Sequence, residues 1–429
     1  MTDRRDFLLA SAAGMLTAAP LSGHEALAKA SKGAHGTQAG STDATLQAAW
    51  QSLVRRLESR DLIGGTSLPQ SHELNMEACR YMFSQLVHSY IMVFQSDPDY
   101  PRFLPYTNDV INFAGPNPDG VYYFTSINGK ASYIISGKRN TVHYVDLQTG
   151  YGMWGFPTAP GKTFPSSSLD DFKFDADGSF EILLATKKPD GFEGNWMPLN
   201  PQADYILVRQ VAYDWAEQDA RLAIERIDAP LPRPERTAAE TERRLNALVE
   251  HFNAVVDVFP HMRKRASGDA INRFNSVTYG VGSVTRQVYL QGAWKLKPGE
   301  ALLCEVKPPE PCFFWNVQVG NMFWETFEYG RRLSSTNGRQ ARVDNDGMVR
   351  VVFTAHDPGV ANWIDTAGQE TGDIVWRWLR CATPEVSHRV VALDRLNEQL
   401  PADVIRVTPE QRREHLRRRS TLFQLRRNW

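Results

Sequence analysis

Hydrophobic residues recur at helical spacing in three parts of the chain. Apolar positions lie three or four residues apart in 46–57, continue in a second apolar-rich stretch at 76–94, and form a third stripe in 245–259. This period buries one face of a helix. Thr237-Ala-Ala-Glu240 has the spacing of a capping box before the third stripe, and Thr408-Pro409-Glu410-Gln411 predicts the start of a basic C-terminal helix.

Between the helices the pattern changes to short β-type runs separated by turn signals such as NPDG, INGK and DADG. We therefore predict a helical N-terminal region at 43–105, a β domain at 106–234, a helical connector at 235–275, a second β domain at 276–382 and a helical tail at 383–429.

The two β regions repeat each other. Asp175-x-Asp177-Gly178 and Asp344-x-Asp346-Gly347 each precede an apolar run, and Asn195-Trp196 answers Asn362-Trp363. Further matches in the same order are Val121-Tyr122 with Val288-Tyr289, Gln148 with Gln318, Gly150 with Gly320, Trp154 with Trp324, Pro189 with Pro358 and Arg209 with Arg377. This order predicts a mainly β fold with helical additions, built on two duplicated jelly-roll or β-sandwich domains.

The N-terminus carries a targeting signal. Arg4-Arg5 is followed by a short apolar run, and Ala26-Leu27-Ala28 is an A-x-A cleavage site. Residues 1–28 therefore predict a twin-arginine signal peptide and a periplasmic or secreted protein, with a small, polar linker at 29–42. No stretch approaches the roughly 18 apolar residues of a membrane span.

Composition narrows the classes of partner. With 48 Lys+Arg against 49 Asp+Glu, the net charge of -1 gives no global attraction to nucleic acid. Aromatic residues make up 11% and either fill the β cores or line a groove. We expect a small-molecule or glycan ligand, no nucleic acid and no membrane span, with a homo-oligomer left open. Cys304 and Cys312 flank a Pro-rich turn and form either a disulfide or two buried thiols.

Common catalytic templates are absent. The chain has no G-x-S-x-G, P-loop, H-E-x-x-H or His-x-His motif, and its ten histidines are dispersed. We therefore expect no cofactor and no metal, although a metal bound by residues distant in sequence stays open.

The duplication separates scaffold residues from candidates for chemistry. Residues present in both copies fit structural roles, with D-x-D-G as a hairpin turn and Asn-Trp tying down a loop. His356, Asp357 and Asp365 occur in the second copy alone. A histidine beside carboxylates can act as a general base near neutral pH, so these three are the predicted catalytic residues. The alternative is a histidine on a surface loop.

A second candidate site begins at the turn Gly115–Gly120, which has no sequence counterpart before Val288. Asn117, Asp119 and Tyr122 are predicted to bind substrate, and the alternative is an ordinary turn entering a strand. A further predicted substrate-binding residue is Asn316, which occupies the strand position equivalent to Asp146.

Three stretches, GPNPDGVYYFTSINGKASYIISG, DADGSFEILLA…GNWMPL and HDPGVANWIDTAG…WRWLR, resemble bacterial proteins that contain domain of unknown function 1214. The resemblance covers about Gly115 to Arg380. It implies jelly-roll-like β domains with helical additions, and it supplies no agreed reaction and no catalytic residues.

Three functions follow from these observations. The first is an exported, cofactor-independent enzyme, a lyase or hydrolase, that acts on a small polar-aromatic or carbohydrate-like substrate in a cleft between the β domains. The second is a non-catalytic carbohydrate- or ligand-binding module. The third is a structural envelope protein that contacts another chain through the basic helix Arg412–Arg427.

Overall fold

The structure is a computed structural model that describes residues 39–58, 72–267 and 270–426. The predicted signal peptide at 1–28 and most of the predicted linker lie outside these residues. The last four residues of that linker are not a linker, because the first helix already begins at Ala39.

Five α-helices lie in the described part of the chain. They are α1 (Ala39–Glu58), α2 (His72–Ser89), α3 (Ala238–Ser267), α4 (Leu396–Gln399) and α5 (Pro409–Leu425). A π-helical segment, Tyr90–Gln95, continues α2, and 3₁₀ turns lie at Leu169–Asp171 and Leu393–Arg395. Thr408 and Gln411 form the predicted capping box of α5. Among the described helices, none is both long enough and apolar enough to span a bilayer.

The first β domain consists of two facing sheets. Its strands are β1 (Leu104–Pro105), β2 (Gly120–Ser126), β3 (Tyr133–Lys138), β4 (Tyr144–Tyr151), β5 (Lys162–Thr163), β6 (Ser167–Ser168), β7 (Ser179–Ala185), β8 (Asn195–Pro198), β9 (Tyr205–Val211) and β10 (Arg221–Arg226). One sheet has the order β1-β2-β9-β4-β5, with β6 also on β4, and the other has the order β10-β3-β7-β8.

The second β domain has the same construction. Its strands are β11 (Asn275–Val277), β12 (Gln287–Lys295), β13 (Glu300–Val306), β14 (Phe314–Gly320), β15 (Ser335–Asn337), β16 (Val349–Thr354), β17 (Trp363–Asp365), β18 (Thr371–Leu379) and β19 (Ser387–Ala392). The sheet orders are β11-β12-β18-β14-β15 and β17-β16-β13-β19. Strands β2-β9-β4 and β10-β3-β7-β8 thus match β12-β18-β14 and β19-β13-β16-β17, which confirms the duplication.

The repeated sequence motifs make repeated contacts. In the two D-x-D-G turns, the backbone N–H groups of Asp175 and Asp344 donate to the residue four positions later. Asn195 and Asn362 each exchange two hydrogen bonds with the backbone of a distant loop residue. The interpretation of these motifs as scaffold is confirmed, because each satisfies backbone groups that a turn or loop leaves unpaired.

Each domain has its own apolar core between its two sheets. The first core centres on residues such as Tyr133, Ile182 and Val208. The second contains the stacked indoles of Trp376 and Trp378. Burial of each large apolar side chain contributes roughly 1.5–3 kcal/mol. A third cluster joins α2 and α3 to the segment before β2, and this cluster holds the two domains against the helices.

Neither alternative for Cys304 and Cys312, a disulfide between them or two buried thiols, is found. Cys312 is bonded instead to Cys381, and Cys304 is a buried free thiol. Cys304 lies in β13, paired with β16 on one side and β19 on the other, so its side chain belongs to the core. Cys381 follows β18, which pairs with the strand after Cys312, and this pairing brings the two sulfurs together.

Candidate functional site

A cavity of about 110 Å³ lies where the two β domains meet. Strands β2 and β9 of the first domain and β12 and β18 of the second contribute to its wall, and α3 contributes Phe259 and Met262. Aromatic side chains make up much of the remaining lining: Tyr106, Tyr122, Trp154, Tyr279, Tyr289 and Trp324. The aromatic residues of this chain therefore both fill the cores and line a pocket.

In the first domain, a row of three residues on neighbouring strands lies beside this cavity, and Tyr122 and Arg209 line it. Tyr122 on β2, Arg209 on β9 and Asp146 on β4 lie directly opposite one another in the sheet register. Arg209 donates to Asp146 at 2.7 Å and to Gln148 at 2.9 Å, and both members of the ion pair are buried. Because a buried guanidinium needs a counter-charge, Asp146 neutralises Arg209 within the fold.

The second domain repeats the row with one change. Tyr289, Arg377 and Asn316 occupy the three equivalent positions on β12, β18 and β14. Arg377 donates to Gln318, the counterpart of Gln148. Asn316 replaces the carboxylate of Asp146, and no described carboxylate lies within ion-pair distance of Arg377. Arg377 is 6% exposed and therefore carries a buried charge without an ion-pair partner, although Asp373 of the same strand interacts with it over a longer distance.

Each arginine also binds a loop of the opposite domain. Arg377 donates to the carbonyl oxygen of Gly115 at 2.7 Å, and Arg209 donates to that of Gly282 at 2.5 Å. Both glycines have positive φ, at 57° and 78°, a region that glycine occupies at little cost. Gly115 thus has a structural counterpart before β12, which the sequence comparison missed because the two loops share no motif.

The cavity contains one further unused donor. The indole Nε1 of Trp324 is buried and has no hydrogen-bond partner among the described residues. It lies against Gly115, where an added Cβ would come within 3.0 Å of this nitrogen. Burial raises the pKa values of Tyr106, Tyr122 and Tyr279, so these phenols stay neutral at pH 7. The cavity thus combines a cation and neutral donors with aromatic faces.

The four residues predicted to bind substrate are joined by hydrogen bonds, but two of them lie outside the cavity lining. The side-chain nitrogen of Asn316 donates to Asn117 at 2.5 Å and to Asp119 at 2.9 Å. Asn117 and Tyr122 line the cavity, and the backbone N–H of Asn117 donates to the Tyr122 hydroxyl at 3.2 Å. Asp119 and Asn316 do not line it.

Asp119 instead occupies a buried hydrogen-bond network. Its carboxylate accepts bonds from Trp215 at 2.7 Å, from Asn337 at 2.8 Å and from Asn316. Its backbone oxygen accepts a bond from Arg426 beyond the end of α5. The carboxylate thus joins the two domains and the backbone oxygen contacts the end of the C-terminal helix, while Asp119 does not line the cavity.

The three predicted catalytic residues lie elsewhere. His356 is exposed and, among the described residues, makes no hydrogen bond to Asp357 or Asp365. Asp357 pairs with Arg412 at 2.8 Å, and Asp365 pairs with Arg332 at 2.9 Å. None of the three lines the inter-domain cavity.

A family model for a protein of unknown function, DUF1214, matches residues 126–213 and 301–383. Two regions of this chain are thus similar to the DUF1214 family. The two matches fall on the two β domains, so the DUF1214 unit occurs twice. No curated protein matches the sequence.

The solved structures that resemble this chain include the following two proteins. The crystal structure of an uncharacterized protein from Burkholderia cenocepacia is 27% identical and covers 83% of this chain and 96% of its own, with a TM-score of 0.71. The VPA0106 protein from Vibrio parahaemolyticus is 11% identical and covers 72% of this chain and 97% of its own, with a TM-score of 0.42. The first structure supports a shared fold with duplicated β domains.

Side chains of the types that commonly bind metals do not cluster among the described residues of either DUF1214 domain. Within residues 39–58, 72–267 and 270–426, no group of three or more His, Cys, Asp or Glu side chains could hold a metal ion.

The contact between Asp357 and α5 leads to a prediction about the C-terminal helix. Asp357→Ala should lower the free energy of unfolding by about 1–3 kcal/mol, because the buried Arg412 loses its carboxylate partner. Limited proteolysis should then cleave α5 earlier than in the unsubstituted protein. Asp403→Ala, an exposed change just before the helix, is the control. Equal cleavage rates for the two variants would contradict this anchoring role.

Proposed function

We propose that this protein binds a small anion with an apolar body, such as a short carboxylate, in the cavity between its two DUF1214 domains. The observation that carries the proposal is the difference between the two equivalent arginines. Arg209 is neutralised by Asp146, whereas Arg377 faces Asn316 and has no described ion-pair partner. An anion would supply the missing charge.

The lining supports this ligand class. Arg377 offers a guanidinium, and Trp324 offers an N–H that is otherwise unsatisfied. A charge-assisted hydrogen bond contributes more than a neutral one, and an unpaired buried donor costs about 1–3 kcal/mol until it is satisfied. The volume of about 110 Å³ restricts the ligand to a few heavy atoms, and the aromatic walls favour an apolar body.

Propionate and its neutral isostere propionamide test the proposal. Propionate should bind saturably in calorimetry and raise the melting temperature, and propionamide should bind at least 10-fold more weakly because it lacks the charge. Arg377→Lys should weaken propionate binding by about 10- to 100-fold, since the paired N–H geometry is lost. Equal affinity for the acid and the amide would refute anion binding.

The duplication provides the matched control. Arg209→Lys makes the same change at the equivalent strand position, where Asp146 already neutralises the charge. We expect this variant to change propionate affinity by less than about 3-fold, because the ligand is not its counter-ion. An equal loss in both variants would indicate a general effect on the cavity.

Catalysis by His356 stays a prediction that this geometry does not support. His356 is exposed and does not line the cavity, so a lyase or hydrolase reaction there would need other groups. The neutral tyrosines and two arginines of the cavity suit binding better than proton transfer near pH 7. His356→Ala should accordingly leave propionate binding unchanged.

We also propose that this protein is exported to the periplasm or secreted through the twin-arginine route. A disulfide between Cys312 and Cys381 suits an oxidising compartment, as the twin-arginine signal also implies. Changing Arg4 and Arg5 to Lys in the full chain should retain the protein in the cytoplasm with its signal uncleaved, as measured by fractionation and mass spectrometry. Unchanged cleavage and export would remove the twin-arginine assignment.

A further inference from the structure

The basic C-terminal helix directs one row of arginines into the protein. Arg412, Arg419 and Arg426 are seven residues apart and all buried. Arg412 binds Asp357, Arg419 donates to the hydroxyl of Ser335 at 2.6 Å and to the carbonyl of Tyr329, and Arg426 pairs with Asp219 at 3.2 Å. This row fixes α5 against both β domains. The basic residues of α5 therefore do not all lie on a solvent-exposed face.

A second cavity, of about 470 Å³, lies beneath α5. Residues 213–215 of the first domain, residues 333–342 and 361–363 of the second domain, and α5 itself form its walls. Its arginines are Arg339, Arg342, Arg412, Arg418 and Arg419, and the lining also includes His415 and Asp214. Five arginines thus face one carboxylate in a partly enclosed space.

Most of these arginines have no ion-pair partner among the described residues. Arg412 has Asp357, but Arg339, Arg342, Arg418 and Arg419 form no ion pair with a described residue. Among the described residues, Arg419 hydrogen-bonds to neutral oxygens alone. Positive charges held together in a partly enclosed site repel one another, and a bound anion relieves that repulsion.

The pKa of His415 agrees with a positive field, whereas the pKa of Arg419 reflects its burial. Burial lowers the pKa of Arg419 to about 10, and Asp119 opposes this effect. Burial, together with Arg412, Arg342 and Arg418, lowers the pKa of His415. A compact anion of several charges would offset this field, whereas a single carboxylate would neutralise one arginine alone.

The arrangement of the arginines points to a ligand of particular shape. Arg412 and Arg419 form the buried floor, with their guanidinium carbons 5.2 Å from the Trp363 ring centre and 4.2 Å from that of Trp215. Arg339, Arg342 and Arg418 are exposed at the rim. A planar guanidinium group binds two oxygens of a phosphate at once. Several guanidinium groups around one cavity therefore suit a ligand with linked phosphates.

We propose that the cavity under α5 is a binding site for a small polyphosphorylated molecule, whose linked phosphates neutralise the arginines that the fold leaves without ion pairs. This site is separate from the inter-domain cavity: Trp215 and Arg419 line one, and Arg377 and Trp324 line the other. Its ligand class also differs, because the charges to be offset are several rather than one.

Pyrophosphate is the probe that tests this site. Calorimetry on the full mature protein should show saturable binding of one pyrophosphate, at least 10-fold tighter than orthophosphate or citrate and weakened by added salt. Arg342→Gln and Arg418→Gln should each reduce pyrophosphate affinity about 5- to 10-fold. These side chains are exposed, so the substitutions should leave the melting temperature unchanged.

Arg417→Gln is the matched control, because Arg417 lies next to Arg418 on α5 but is exposed and does not line the cavity. It should leave pyrophosphate affinity within 2-fold of the unsubstituted protein. An equal loss in Arg417→Gln and Arg418→Gln, no saturable pyrophosphate binding, or equal affinity for citrate would overturn the proposal. Arg377→Lys should not alter pyrophosphate binding, which separates this test from that of the inter-domain cavity.

Discussion

Asp119→Ala is expected to lower the free energy of unfolding by at least about 3 kcal/mol. The carboxylate accepts hydrogen bonds from Trp215, Asn316 and Asn337, and Asp119 is 1% exposed. The substitution leaves three buried donors without an acceptor, at about 1–3 kcal/mol each. Denaturant unfolding followed by tryptophan fluorescence measures the change.

The expected loss depends on burial and not on aspartate as such. Asp190→Ala, at an exposed position after β7, should change stability by less than about 0.5 kcal/mol. Asp119→Asn retains one acceptor oxygen of similar geometry and should lose less than Asp119→Ala. A loss of under 1 kcal/mol in Asp119→Ala would show that water or a rearranged side chain satisfies the three donors.

The second large effect is expected when the pH is lowered. His88 and His251 are buried with ring centres 5.2 Å apart, and both nitrogens of His88 lack a partner among the described residues. Burial lowers the pKa of His88 well below its usual range, with His251 lowering it further. Burial also lowers the pKa of His251 to about 4. The native state therefore resists protonation that the unfolded chain accepts near pH 6.5.

The sign follows from proton binding. Between pH 6.5 and about 4 the unfolded chain binds more protons at His251 than the native state, so this group makes stability fall as the pH falls. Asp373, whose pKa burial raises to about 6, has the opposite effect in an overlapping range. The informative quantity is therefore the difference between a variant and the unsubstituted protein, not the whole pH curve.

His251→Gln should accordingly gain about 2 kcal/mol relative to the unsubstituted protein as the pH falls from 7 to 5, because 1.5 pH units correspond to about 2 kcal/mol. The control is His261→Gln, the same change at an exposed position on α3, which should show no such gain. Unfolding curves at both pH values measure it. Parallel pH profiles for all three proteins would mean that His251 titrates normally in the native state.

The motifs D-x-D-G and Asn-Trp could be interpreted correctly from sequence because their contacts are local or recur in both copies. Asp175 and Asp344 make the same turn contacts, and Asn195 and Asn362 make the same loop contacts. The disulfide could not be paired in this way. Cys312 and Cys381 are 69 residues apart and meet through the pairing of β14 with β18.

The candidate site illustrates a different limit. Among the residues that differ between the two copies, His356 is conspicuous because a histidine can act as a general base near neutral pH. The equivalent positions Asp146 and Asn316 differ just as clearly, but their meaning depends on which arginine each one faces. Arg209 and Arg377 occur in both copies and so looked like scaffold. The strand register shows that only one of them has a carboxylate opposite.

The sequence by itself determined the mainly β class, the helices and the duplication, because hydrophobic period, turn residues and repeated motifs are local properties of the chain. The tertiary structure decided which charged side chains have a partner of opposite charge or a hydrogen-bond partner. Asp119 became part of a buried network, Arg377 remained without an ion pair, and the arginines of α5 turned inward. Electrostatic pairing depends on distances of a few ångströms between residues far apart in sequence, and those distances arise only when the two domains and the last helix pack together.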